Sequence, residues 1–353
     1  MGAGHLRYAT AYLDHAVLTA PVAVVAHPAP FVSSHGRDLD ESLLSGSAST
    51  LVASVQGVDA ALLVLTDTDL SECLFSGTFH LDQLRLEGNT VFASPPTGWH
   101  FKGVRPIRWT RRRTLAEEHH WRAQSAGQAP EPSRQIQYFR DGMAVPVPRA
   151  DRPLSPRRRR VGPHHPDPAR TPDPEDVSAL YGQLRKAFED GKNEPGAADF
   201  HYGECEMRRH DRNGTPRVER GLLWGYWLLS GYGLRALRAL GWLAAAMTAT
   251  IILLMGFGLP AASPKQEATG VVPPGGGKVT FHIEKGDPWN PTGERFTGRR
   301  FEKALNITLK SVVFRSSGED LTTAGTYIEM VSRLFEPALL ALAVLAVRGR
   351  IKR

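Results

Sequence analysis

The residue types that most often carry out catalysis or metal binding are few in this chain and are not grouped at useful spacings. The two cysteines, Cys73 and Cys205, are too few for a disulfide framework or a cysteine-based zinc site. Adjacent histidines at 119–120 and 164–165 would point about 100° apart on a helix, which is not the spacing of metal ligands. We therefore expect no catalytic residue, no cofactor and no metal, and we predict that the protein is not an enzyme.

A different group of ionisable residues lies in or beside apolar sequence near the C-terminus. Glu329, Arg333 and Glu336 interrupt an otherwise apolar stretch, and Glu319 and Asp320 lie shortly before it. Charge on the lipid-facing side of a membrane helix costs several kcal/mol, so these side chains have to face protein or water. If the protein conducts ions, Glu319, Asp320 and Glu336 are the residues expected to line the pore.

Two long apolar segments would position these residues. Ala239–Leu259 carries no charge over about 21 residues, or ~31 Å as a helix, which matches a hydrocarbon core of ~30 Å. The second segment, Tyr327–Val347, is followed by a basic tail. We predict transmembrane helices over 235–259 and 329–348. A buried core helix and an amphipathic surface helix, respectively, are the alternatives. The mean hydropathy of −0.28 excludes a protein that consists mostly of membrane spans.

The distribution of basic residues predicts the orientation of this hairpin. Arg235 and Arg238 lie at the start of the first segment, whereas the sequence after it is rich in proline and glycine. Because cytoplasmic flanks carry an excess of Lys and Arg, the N-terminal flank and the basic tail 349–353 are both expected inside. The loop 260–328, with a short strand and an amphipathic helix, is then extracytoplasmic. We predict a multi-pass protein of the cell membrane with both termini in the cytoplasm.

An aromatic segment precedes the first predicted span. Residues 219–234 combine tryptophan and tyrosine with leucine, a composition typical of a helix lying in the membrane interface. A soluble amphipathic helix is the alternative. The residues that this interpretation places in contact with the membrane are Trp224, Trp227, Tyr232, Arg235 and Arg238.

A five-residue period runs through Ser54–Gly77, where large or apolar side chains recur at Val55, Ala60, Leu65, Leu70 and Phe75. Neither the helical nor the strand period explains this spacing. The pattern, clearest in TDTDLSECLFSG (Thr66–Gly77), resembles the pentapeptide-repeat family, whose fold is a right-handed quadrilateral β-helix. The resemblance implies a short β-coil with its cap over 42–94. An ordinary pair of short strands is the alternative.

The remaining cytoplasmic sequence divides by composition. We predict a poorly ordered N-terminus over 1–41, a basic amphipathic helix over 105–124, a disordered Pro/Arg-rich linker over 125–173 and a helical hairpin over 174–212. The net charge of +7 is concentrated in the basic helix, the linker and the membrane flanks, which favours membrane lipid over nucleic acid as the anionic partner. A plain scaffold helix is the alternative for 105–124. The fold class expected is therefore an α+β mosaic with a short right-handed β-helix, a helical hairpin and a C-terminal two-helix transmembrane hairpin.

Longer stretches of sequence resemble the membrane-anchored pentapeptide-repeat proteins of actinomycetes. The resemblance runs through Leu180–Arg212, Glu219–Leu243 and Arg300–Met330, and Asp69–Gly88 is similar to the end of their repeat region. It implies a membrane-anchored repeat protein and brings no activity with it.

The order of segments also resembles two-helix pore-loop channels, with Phe301–Gly325 in the place of the pore helix and filter. A potassium filter presents rings of backbone carbonyls from a Thr-Val-Gly-Tyr-Gly type sequence. In this chain only Gly318 and Asp320 match that pattern, and Arg315 would repel cations. Shared ancestry stays open, while potassium conduction is not expected.

Two functions therefore stay open. The favoured one is a membrane-anchored pentapeptide-repeat scaffold without catalytic activity, whose partners are membrane lipid and an unidentified cytoplasmic protein. The alternative is an ion-conducting, pore-loop-like protein built from Tyr232–Val347, which would have to be a homo-oligomer. The oligomeric state in detergent separates the two.

Overall fold

The computed structural model describes residues 2–32, 35–36, 38–41, 44, 47–95, 99–102, 105–108, 111–130, 161–165, 167–261, 266–270, 281–285, 290, 293–314 and 320–351. The chain divides into two compact units, Met1–Trp224 and Gly225–Arg353.

The N-terminal unit contains two four-stranded parallel sheets, and successive strands along the chain alternate between them. The first sheet has the order β1-β3-β5-β7 and the second the order β2-β4-β6-β8. Strands rich in β-branched residues, such as VAVVA in β3, suit this buried position. The bounds are β1 Gly2–Leu6, β2 Thr10–Tyr12, β3 Val22–Ala26, β4 Leu51–Ser54, β5 Leu63–Thr66, β6 Asp69–Leu70, β7 Arg85–Glu87 and β8 Val91–Phe92.

The predicted fold class, which rested on a right-handed β-helix, is wrong. Among the described residues, the first eight strands form two four-stranded parallel sheets, six further strands form three two-stranded sheets, and seven helices accompany them. All five positions of the five-residue period are buried, but only Leu65 and Leu70 lie in strands, while Ala60 lies in a 3-10 helix and the other two in irregular segments. The five-residue period predicts which side chains point inward, but it does not predict which strands pair. Two sheets can therefore bury these positions as well as a β-helix would.

Sequence outside the predicted coil contributes to these sheets. Residues 1–41, expected to be poorly ordered, supply β1, β2 and β3, and Val22 of β3 pairs with Gly2 of β1 and Leu63 of β5. The segment expected to cap the coil supplies β7 and β8 instead. Backbone pairing between strands so far apart in the sequence leaves no local pattern, and the sequence interpretation therefore did not predict these strands.

Helices complete the N-terminal unit. The basic amphipathic helix expected over 105–124 is shorter than predicted, since the helix there, α1, covers Ala116–Ser125. The beginning of the predicted range, Arg105–Arg108 (β10), is instead a strand paired with Trp99–Lys102 (β9). Of the predicted linker, residues 131–160 lie outside the described part, while Ala129–Pro130 (β11) pairs with Val161–Gly162 (β12). Three further helices follow: α2 Pro174–Asp190, α3 Glu194–His210 and α4 Arg217–Ser230.

The pair α2 and α3 packs through aromatic side chains onto the second sheet. Pro174 opens α2 with acidic residues in its first turn, and the Asn193 side chain caps α3 by accepting from the amide of Gly196 at 3.1 Å. The ring of Phe200 on α3 lies 5.1 Å from that of Phe92 in β8 and 4.9 Å from that of Phe188 on α2. These contacts join the helices and the sheet in one core.

Besides the end of α4, the described residues of the C-terminal unit form three helices and a short antiparallel ribbon. Helix α5, Ala236–Leu253, continues through a π-helical turn at Leu254–Gly258. The ribbon pairs β13, Gln266–Gly270, with β14, Phe281–Lys285. Helices α6, Gly298–Phe314, and α7, Thr323–Ile351, complete the unit, and α7 includes Pro337 in its interior.

Candidate functional site

The two apolar segments are helices that are long and apolar enough to cross a membrane. The candidate spans are Ala236–Gly258 and Thr323–Arg348. Only 28% and 22% of their most apolar stretches are buried within the protein, so both present apolar side chains outward. Leu237 is 80% exposed and Leu334 is 70% exposed. A core helix of a water-soluble domain would bury most of this surface.

The two helices meet closely at one end. Gly325 packs on Gly258 so tightly that a Cβ atom added at Gly325 would lie 2.5 Å from the Gly258 carbonyl oxygen. Thr322 holds the same end, because its hydroxyl donates to the carbonyl of Phe257 at 2.7 Å and its amide donates to that of Gly258 at 3.0 Å. Small residues of this kind let two helix backbones approach each other, and the Thr322 contacts satisfy carbonyls that the end of a helix leaves without partners.

Arg300, at the start of α6, satisfies further carbonyls at this end of α5. Its guanidinium donates to the carbonyl oxygens of Met255 at 2.9 Å, Leu259 at 2.8 Å and Pro260 at 3.1 Å. A cation at a helix C-terminus also complements the helix dipole. The beginning of α6 is thereby fixed level with the end of α5.

From that point α6 runs along α7 rather than away from it. Ala304 and Ile307 of α6 are buried against Leu254 and Met255. Further along, the hydroxyl of Ser311 lies 3.3 Å from that of Ser332 on α7. Ser332 follows Gly325 by about seven residues, so α6 reaches ~10 Å along the hairpin from its close end, roughly a third of the thickness of a hydrocarbon core.

Polar side chains are buried along the helix contacts of this unit. The hydroxyl of Thr250 on α5 donates to Glu336 Oε1 on α7 at 2.7 Å, and Glu336 is 1% exposed. One and two turns earlier on α7, Arg333 donates to Glu329 at 2.6 Å. Buried ionisable groups between apolar helices mark functional positions far more often than structural ones. We take these helix-contact residues, centred on Glu336, as the candidate site.

The candidate pore-lining residues are not brought together. Glu319 lies outside the described residues, Asp320 is exposed just before α7, and Glu336 is buried against Thr250. About 16 residues of chain, most of them helical, separate Asp320 from Glu336, so the two carboxyl groups lie at different depths along the hairpin.

The aromatic residues expected at the membrane differ in exposure. Trp224 is 53% exposed, whereas Tyr232 is 1% exposed and contacts Tyr226 edge to face. Arg238 donates to the Trp227 carbonyl at 2.8 Å and stacks over the Trp227 ring, which joins the start of α5 to the end of α4. Tyr232 thus has an internal packing role that composition alone did not indicate.

Thr250, Arg300 and the Ser311–Ser332 pair are site residues that the sequence interpretation missed. A hydroxyl in an otherwise apolar span, as at Thr250, was the available signal for the first. Arg300 carries no such signal, because its carbonyl partners become apparent only from the packing of α6 on the end of α5.

The polar groups of the N-terminal unit are engaged in joining its elements. Both Glu118 oxygens accept from Arg112 at 2.6 Å, and Glu118 also accepts from Tyr181 at 2.5 Å, which links α1 to α2. Burial alone would raise the pKa of Glu118, but the guanidinium groups of Arg112 and Arg122 hold this pKa well below its usual range. The arginine cluster expected to touch lipid therefore includes a buried structural cation, Arg112.

Both cysteines of this unit are buried. Burial raises the pKa of Cys73 far above its ordinary value and that of Cys205 to about 11, which disfavours the nucleophilic thiolate. The rings of His120 and His165 meet edge to face at 5.8 Å, so the fold joins the two histidine pairs, but no group of three metal-ligating side chains is found in the described ranges.

The fold and the site thus define a class: a two-unit protein with a sheet-and-helix N-terminal unit and two apolar helices able to cross a membrane. No known protein family, curated protein or solved structure matches the chain.

Proposed function

We propose that the chain is a two-span membrane protein whose N-terminal unit is a non-enzymatic interaction module held at the cytoplasmic face. The observation that supports this most strongly is the outward-facing apolar surface of Ala236–Gly258 and Thr323–Arg348, most of which the protein does not cover. Exposing such surface to water costs about 25 cal/mol per Å², and a bilayer removes the cost.

The chemistry of the N-terminal unit supports an interaction module. Its buried acidic groups connect elements: Glu118 binds Arg112 and Tyr181, while Glu206 binds Arg209 at 2.6 Å and lies 3.5 Å from Arg122. Groups committed to internal ion pairs are poorly suited to proton transfer on a substrate. The unit therefore offers a fixed surface for a cytoplasmic protein partner.

Extraction and labelling of the full-length protein test the anchor and its orientation. Alkaline carbonate should leave the protein in the membrane pellet, and release into the supernatant would contradict the anchor. Because Cys73 and Cys205 are buried, a membrane-impermeant maleimide should report only cysteines introduced at exposed positions. We expect Arg299→Cys to react in intact cells and Asp190→Cys to react only after lysis. The reverse pattern would overturn the orientation.

A second candidate function is an oligomeric ion-conducting protein. The placement of α6 favours it, because α6 begins level with the end of α5 and reaches ~10 Å along the hairpin, as the helix of a re-entrant pore loop does. A homo-oligomer in detergent and current in planar bilayers that changes with Asp320→Asn would support this candidate. A monomer without current would refute it.

A further inference from the structure

The carboxyl group of Glu336 lies near the middle of the second span. Gly325 on α7 is level with Gly258 at one end of the hairpin, and Glu336 follows about 11 residues later, or ~16 Å along the helix axis. That distance is about half of a hydrocarbon core of ~30 Å. With 1% of its surface exposed, Glu336 depends on protein partners for its hydrogen bonds.

Those partners are incomplete. Glu336 Oε1 accepts from the Thr250 hydroxyl at 2.7 Å, whereas the buried Oε2 has no hydrogen-bond partner among the residues that the structure describes. The next residue, Pro337, has no N–H and therefore cannot donate to the carbonyl of the preceding turn. The two helices thus enclose one carboxylate oxygen without a donor at a point where the backbone hydrogen bonding of α7 is also interrupted.

Within the described parts of the packed helices, no charged group forms an ion pair with this carboxyl group. On α7, the Arg333 guanidinium one turn earlier is bound to Glu329 at 2.6 Å. On α5 the nearest charged residue is Arg238, about three turns from Thr250. On α6, Lys310 is adjacent to Ser311, which contacts α7 at Ser332, about one turn before Glu336.

We propose that Glu336 and Thr250 form a proton-binding site between the two spans, in which the carboxyl group holds its proton at neutral pH. The proposal rests on the membrane location proposed above. An ionised carboxylate here would have a single neutral donor and an empty second oxygen, and an unpaired buried charge is far costlier than a neutral acid. Deprotonation then requires water or a cation to enter between α5 and α7.

Carbodiimides test this directly, because they add to protonated carboxyl groups. The full-length protein in native membranes is treated with the apolar N,N′-dicyclohexylcarbodiimide or with a water-soluble carbodiimide, and the adducts are mapped by peptide mass spectrometry. We expect the apolar reagent to modify Glu336 with less than about twofold change between pH 6 and pH 8. An ordinary glutamate loses about a hundredfold of its protonated fraction over that range. The water-soluble reagent should modify exposed carboxyl groups and leave Glu336 unmodified.

Two variants serve as controls. Glu336→Gln should lose the adduct, and Thr250→Val, which removes the one donor to the carboxylate, should keep it. Mapping in the wild-type protein remains decisive if a variant fails to fold. A Glu336 adduct that is absent, or that declines with pH in parallel with exposed carboxyl groups, overturns the proton site. Carbonate extraction of the same membranes distinguishes failure of the proton site from failure of the membrane anchor. If the protein stays in the pellet but carries no Glu336 adduct, the anchor is supported and the proton site is refuted. If carbonate releases the protein into the supernatant, both are refuted.

Discussion

Glu117 makes the stability of the N-terminal unit depend on pH near neutrality. This carboxyl group on α1 is fully buried, and it accepts hydrogen bonds from the amides of Phe75 and of Ser76, where a turn begins. Burial raises the pKa of Glu117 to about 7, although these hydrogen bonds favour the carboxylate. The perturbation of interest is Glu117→Gln, which keeps an acceptor oxygen and removes the titration.

The sign follows from proton binding in the two states. In the unfolded chain the group has the ordinary glutamate pKa of 4.5, so between about pH 4.5 and 7 the folded state binds more protons and loses stability as the pH rises. At 1.36 kcal/mol per pKa unit, the shift to about 7 corresponds to roughly 3 kcal/mol. Most of that loss, about 2–3 kcal/mol, falls between pH 5 and pH 8.

Hydrogen exchange of full-length protein in detergent measures this locally, in the peptide that contains Phe75 and Ser76. After correction for intrinsic exchange, the protection of this peptide in the wild type should fall between pH 5 and pH 8 by an amount equivalent to about 2–3 kcal/mol. The protection of the same peptide in Glu117→Gln should not fall over this range. Glu72→Gln, at an exposed carboxyl group on the same unit, is the matched control and should follow the wild type. Equal loss of protection in wild type and Glu117→Gln would refute the reasoning.

Three further perturbations have outcomes fixed by the structure. Glu118→Gln leaves the buried guanidinium of Arg112 without its carboxylate and should lower the free energy of unfolding by about 3–5 kcal/mol in denaturant titrations; a change under about 1 kcal/mol would contradict the buried pair. Gly325→Leu places a side chain against the Gly258 backbone and should destabilise the hairpin by about 1–3 kcal/mol in thermal unfolding. The control is Gly241→Leu, where nothing lies within 4 Å of the Cβ position, and its stability should be within about 0.5 kcal/mol of wild type. Under native conditions, maleimide should modify Cys73 and Cys205 only as fast as the protein unfolds locally around them, so the labelling rate should rise with denaturant concentration. Rapid labelling of the folded protein would contradict this, because it would show that the thiols are accessible.

The β region shows where a sequence pattern stops being informative. The five-residue period identified Val55, Leu65 and Phe75 as inward-facing, and each is fully buried. It did not identify partners: Leu65 pairs with Val24 on one side and Leu86 on the other, and neither partner belongs to the repeat. Burial is set locally by the side chain, but pairing is set by distant segments, so the predicted β-helix was wrong while the buried positions were correctly chosen.

By itself the sequence determined the two long apolar helices, because two stretches of about 21 residues, one charge-free and one apolar over most of its length, match the thickness of a bilayer core. Only the tertiary structure decided what the ionisable residues in those helices contact. Glu329 is bound by Arg333 on its own helix, whereas Glu336 meets a single hydroxyl from α5 and leaves one oxygen without a donor. That difference depends on which faces of α5 and α7 pack together, and the close approach of Gly258 and Gly325 fixes those faces through contacts that no local spacing encodes.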